Sequence, residues 1–204
     1  MPIGCKVKLD NKSFIIVLLG LIFLKSGSLL ISWLINFNKP QNQKDWENIW
    51  EKNQDSLHYY AIDGVIVAPV IEEVLFRGVL YFGAYMLIKE LKKMKKWKFS
   101  NKTNQYITAT LFILVSSFLF SSVHLSQSFL MSLPYLFFGI TLAIIFVITK
   151  NLLITIIIHV LNNLFSFFSF FQSNEIQEYK LLLFLLLILA IILFFNKIKV
   201  KSHS

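Results

Sequence analysis

Apolar residues run through this chain in long blocks, broken by short polar stretches. Six of the blocks approach the roughly 20 apolar residues that a membrane-spanning helix requires. They predict spans over Phe14–Ile35, Tyr60–Ile88, Tyr106–Leu125, Leu130–Thr149, Leu152–Phe171 and Leu181–Phe195. The last is short and would borrow flanking residues. Lys6, Lys8 and Lys12 precede the first block in the manner of a signal peptide. No A-x-A cleavage site follows, however, and apolar sequence resumes after Ser28, so an uncleaved anchor is expected. Between the first two blocks, Trp46, Ile49, Trp50, Asn53 and Leu57 fall near one helical face. That segment reads as a short helix in the membrane interface, or equally as a polar loop with two Trp anchors. The expected fold is all-α: a polytopic transmembrane bundle of about six spans in one domain, residues 1–204.

Composition agrees with this reading. The chain is 56% hydrophobic and only 15% charged, less charge than a soluble domain carries. The net charge of +9 does not indicate nucleic acid, because the Lys residues sit at the ends of apolar blocks and in the loops between them. Lys6, Lys8, Lys12, the run from Lys89 to Lys102, Lys150, Lys197, Lys199 and Lys201 fall on one side of a six-span bundle. The positive-inside rule makes that side, and both termini, cytoplasmic. Lys39, Lys44 and Lys52 lie on the other side, with Lys180 at a boundary. The only cysteine, Cys5, excludes an internal disulfide and reads as inert. Abundant Lys, Asn, Ile and Phe suggest an AT-rich genome, hence a bacterial cell membrane.

Charged groups inside a bilayer are costly and commonly functional, and four places carry such polarity. The first is Ala68-Pro69-Val70-Ile71-Glu72-Glu73-Val74-Leu75-Phe76-Arg77-Gly78. Glu73 and Arg77 are one turn apart and can pair. Glu72 lies about 100° around the helix and is left to point elsewhere. A carboxylate held away from bulk water is suited to act as a general base. Pro69 removes a backbone bond and is expected to kink the helix. A buried Glu–Arg pair that only fixes packing would explain Glu73 and Arg77, but not the second carboxylate. The second place is Phe120-Ser121-Ser122-Val123-His124, whose lone His could equally be an interfacial residue. The third is His159-Val160-Leu161-Asn162-Asn163, where His159 and Asn163 share a face and could also be interhelical hydrogen-bonding groups. The fourth, Lys25 in the first block, reads as structural. Together the first three places supply a base, a second water ligand and oxyanion donors, the inventory of a hydrolase. By these span ends Glu72 and His124 lie toward the outer half of the membrane and His159 toward the inner half.

Glu72-Glu73-x-x-x-Arg77, Phe120-x-x-x-His124 and His159-x-x-x-Asn163 occur in the order and approximate spacing of three motifs of one family. Over about Tyr60 to Phe171 the chain resembles the CPBP (CAAX protease and bacteriocin-processing) family, also called Abi. That family includes type II CAAX prenyl endopeptidases and bacterial immunity proteins. The resemblance implies an intramembrane glutamate endopeptidase with a catalytic core over residues 60–171. Glu72 and His124 would hold the attacking water, with Glu72 as general base. His159 and Asn163 would stabilise the oxyanion, and Glu73 and Arg77 would support them. The expected substrate is a membrane-associated peptide or small membrane protein: a bacteriocin or pheromone precursor, or a CAAX-like sequence. The alternative is bacteriocin self-immunity or membrane interaction without cleavage. A proton or ion transporter is disfavoured because no inverted repeat is visible. No cofactor is expected. Glu72, His124 and His159 are the alternative ligands for zinc, but H-E-x-x-H is missing and Asn163 is a poor zinc ligand.

Overall fold

The structure is a computed structural model, and it describes residues 9, 11–35, 41–93, 100–124 and 128–172. Every regular element among them is helical: α1 (Asn11–Ile35), α2 (Gln41–Lys52), α3 (Leu57–Ile62), α4 (Ala68–Glu73), α5 (Leu80–Lys93), α6 (Asn101–Val123), α7 (Phe129–Thr149) and α8 (Leu152–Gln172). Four helical stretches are long and apolar enough to cross a membrane: Lys12–Leu34, Asn101–Val123, Phe129–Thr149 and Leu152–Phe170. The bundle is therefore an all-α membrane architecture, as its apolar blocks predict. The first, third, fourth and fifth predicted spans match α1, α6, α7 and α8 to within a few residues. The sixth span, Lys180, Cys5, Lys6, Lys8, Lys39, Lys95, Lys96 and Lys98 lie outside the described residues.

The second predicted span is more complicated than its sequence suggested. Residues 57–93 run as helix throughout, but two π turns, Asp63–Val67 and Val74–Val79, flank α4. In each, an N–H reaches five residues back: Ala68 N–H to Asp63 O, and Leu80 N–H to Leu75 O. The next bond in the first register would run from residue 69 to Gly64 O. Pro69 has no N–H, so that carbonyl must find a donor elsewhere. It does so across the bundle, where Asn163 Nδ2 donates to it at 3.0 Å. Such turns are rare and concentrate at functional sites.

Side-chain caps set the helix ends. Ser100 Oγ accepts from Thr103 N–H at 3.1 Å at the start of α6, and Ser128 Oγ accepts from Met131 N–H at 3.3 Å at the start of α7. This satisfies donors that an apolar medium would leave unpaired. Lys150 ends α7 in the left-handed conformation, φ 53°, and Asn151 Oδ1 accepts from Leu153 N–H at the start of α8. The tight turn makes α7 and α8 antiparallel neighbours.

The core has two centres. Val17, Leu18, Leu21 and Leu24 of α1 pack with Phe120, Phe138, Leu142, Ile154 and Ile158. Phe112, Ala143 and Phe146 form the second, against Tyr81. Helices α6 and α7 approach closely at Gly139, where a Cβ would lie 3.1 Å from Ser117 Cα. Large apolar side chains such as Phe14, Phe23, Leu111, Phe118 and Ile148 are exposed. On a bundle of this composition those are the lipid-facing positions. Lys25 is buried within α1.

The polar segment after α1 takes the helical alternative. α2 is amphipathic, with Trp50 buried and its ring edge-on to Phe167 of α8, centroids 5.0 Å apart at 83°.

Candidate active site

α4, the π turn after it, α6 and α8 bring five of the six candidate residues into direct contact. Glu73 and Arg77 side chains are wholly buried, with Arg77 Nη1 donating to Glu73 Oε1 at 2.9 Å. Arg77 Nη2 donates to Gly139 O at 3.2 Å, and its guanidinium lies over the Phe120 ring, 4.7 Å from the centroid. One planar cation thus ties three elements together, a task for which the guanidinium fork is suited and an ammonium is not. On the other side of Glu73, His159 Nδ1 lies 2.9 Å from the same Oε1. The carboxylate can only accept there, so Nδ1 is the donor and Nε2 is the atom that faces inward.

Glu72 points away from this pair. Its Oε2 has no hydrogen-bond partner among the described residues, although it lies 3.8 Å from His124 Nε2 and 3.8 Å from His159 Nε2. Its side chain keeps 26% of its exposure, against 0% for Glu73. The two adjacent carboxylates therefore occupy different settings, one locked in an ion pair and one open toward a shared point between two imidazoles.

His124 sits just past the last residue of α6, with non-helical backbone angles. Its ring folds back over the last turn, and Nδ1 donates to Phe120 O at 2.7 Å. A carbonyl only accepts, so the neutral ring presents a lone pair at Nε2 toward Glu72. Phe120 and Tyr135 hold the two sides of the imidazole, each with its ring centroid 4.4 Å away. This folding back removes the mismatch of membrane depth that the span ends implied: His124 and His159 reach the same carboxylate oxygen.

Asn163, one turn beyond His159, does not touch the other five. One of its two Nδ2 hydrogens goes to Gly64 O, which leaves one donor uncommitted. Two contributors escaped the sequence reading. Tyr135 stacks on His124 at 29°, and Phe138 meets His159 edge-on, centroids 4.8 Å apart. Aromatic residues are so frequent here that neither stood out. Pro134, inside α7, was the one local irregularity pointing to Tyr135.

Among the described residues no three His, Cys, Asp or Glu side chains meet at metal-binding spacing. Zinc at about 2.0–2.1 Å from its donors sets tetrahedral ligands roughly 3.4 Å apart, closer than the 3.8 Å seen around Glu72.

The sequence model of the family described as type II CAAX prenyl endopeptidase Rce1-like matches residues 55–165. No curated protein and no solved structure matches the chain.

Proposed function

Since the chain belongs to the type II CAAX prenyl endopeptidase Rce1-like family, we propose that it cleaves a membrane-associated peptide with a water activated by Glu72 and His124. The observation that carries this reading is the unpartnered Glu72 Oε2, 3.8 Å from the Nε2 atoms of both His124 and His159. A water there would donate one hydrogen to Glu72 and the other to the lone pair on His124 Nε2. Its own lone pair would then face the substrate.

In the attack step the water oxygen bonds to the scissile carbonyl carbon, and Glu72 takes the released proton. The C=O π pair moves onto oxygen, where His159 Nε2–H and the free Nδ2–H of Asn163 stabilise it. Collapse re-forms the carbonyl, breaks the C–N bond and returns the Glu72 proton to the leaving amine. For His159 to donate from both nitrogens its ring must be cationic. Glu72, Glu73, Arg77 and His159 then sum to zero charge, which an apolar interior requires. During attack the negative charge passes from Glu72 to the oxyanion, and the sum is unchanged. No step requires a metal. Candidate substrates are a bacteriocin or pheromone precursor and a CAAX-like peptide.

The test is a comparison of peptides released by cells expressing wild-type protein, Glu72→Gln protein or none. Peptides present only with wild type support the proposal. Identical peptide profiles at equal expression would overturn it, and protection from a bacteriocin by the Glu72→Gln variant would point to self-immunity without cleavage.

A further inference from the structure

Helix α2 lies outside residues 55–165, the stretch matched by the family, yet it touches both halves of the candidate site. Asn42 Nδ2 donates to Tyr135 Oη at 3.5 Å, and the Tyr135 ring stacks on His124. One turn along, the Trp46 indole packs on the backbone of Gly64. A Cβ on Gly64 would lie 3.1 Å from Trp46 Cζ3, so only glycine allows this approach. The carbonyl of that same Gly64 holds Asn163. Trp50 anchors the helix between Phe167 and Phe170 of α8, with centroids 5.0 and 5.5 Å away.

His124 needs such support. It stands beyond the end of α6 with non-helical angles, so the helix backbone does not fix its ring. One hydrogen bond to Phe120 O and two flanking rings do so instead. The Phe120 side is rigid, because that residue is buried in the core. The Tyr135 side ends at a hydroxyl whose partner comes from α2.

We infer that Asn42 and Tyr135 are positioning residues, through which docked α2 sets the His124 imidazole against Glu72. This rests on the proposed role of His124 in holding water. Tyr135 keeps its stacking as a phenylalanine, so the hydroxyl alone carries the link to α2. Docking of an interfacial helix then becomes part of the reaction geometry rather than a passive anchor.

The experiment uses full-length protein in liposomes, with Tyr135→Phe, Asn42→Ala and the double variant. One measurement is hydrolysis of an internally quenched farnesylated CAAX peptide. The other is the rate of His124 modification by diethyl pyrocarbonate, read by peptide mass spectrometry. Each single variant is expected to lower kcat about three- to ten-fold, with KM within about two-fold, and to speed His124 modification at least about two-fold. The double variant should be no worse than the poorer single, because both cut one chain of contacts. Additive losses, an effect on KM alone, or an unchanged modification rate would overturn the inference. If wild type does not cleave the probe, proteolysis of CAAX peptides fails, and the modification rates still decide the inference about α2.

Discussion

His159 Nδ1 and Glu73 Oε1 lie 2.9 Å apart, joining residues 86 positions distant in the chain. Through that oxygen the orientation of His159 depends on the Glu73–Arg77 pair. Glu73 is thus a support whose loss should show in stability before it shows in chemistry. Removing one partner of a buried pair commonly costs about 3–5 kcal/mol. Glu73→Ala is expected to lower the unfolding temperature in detergent sharply and to reduce the yield of folded protein. Normal thermal stability would show that Arg77 has another counter-ion.

Glu72 should behave in the opposite way. Its Oε2 makes no hydrogen bond among the described residues, so Glu72→Gln should leave thermal stability close to wild type. Loss of a general base typically removes about 10²–10⁴-fold in rate. Cleavage of any substrate identified by peptide profiling should fall by that order. Retention of the wild-type rate by purified variant would assign the base elsewhere.

Gly139 offers a test of the framework behind Arg77. A methyl at this position would meet backbone atoms, Ser117 Cα at 3.1 Å and Ser117 O at 3.3 Å, and backbone cannot swing aside. Gly139→Ala should therefore part α6 from α7 and shift the carbonyl that accepts from Arg77. The expected cost is about 1–3 kcal/mol, measured as a lowered unfolding temperature. An unchanged temperature would mean the helices can separate freely there.

Metal dependence separates two mechanisms built on the same atoms. The proposed chemistry predicts activity that survives exhaustive chelation and purified protein without stoichiometric zinc. One zinc per chain, with activity lost on removal and restored on return, would recast Glu72, His124 and His159 as ligands.

The parts of this molecule that were legible in its sequence are those where cost leaves a trace. A charge in an apolar block is expensive, so Glu72, Glu73 and Arg77 announced themselves, as did His124 and His159 once taken together with them. Long apolar runs likewise marked α1, α6, α7 and α8. The π turns left no such trace. Gly64 and Pro69 read as a flexible point and a kink, and only the structure shows the proline stranding a glycine carbonyl for Asn163 to bind. Tyr135 was hidden by abundance, in a chain that is 16% aromatic. The meeting of His124 and His159 at one carboxylate could not be judged from span ends, because a ring folding back over its own helix moves the reactive atom away from its position in the sequence.

The π turns on either side of α4 also constrain how this chain can change. Each holds its turn open by one residue, and one residue is about 100° of helical rotation. Ile66, Ile71 and Val79 point to the surface along this rod while Glu73 and Arg77 point inward. That arrangement depends on the count of residues through both turns. A single deletion between positions 63 and 79 would let one turn relax to ordinary helix and swing everything beyond it around the axis, turning a paired charge toward lipid. This stretch can therefore exchange side chains but not alter its length, so length variation among its relatives should fall elsewhere in the chain.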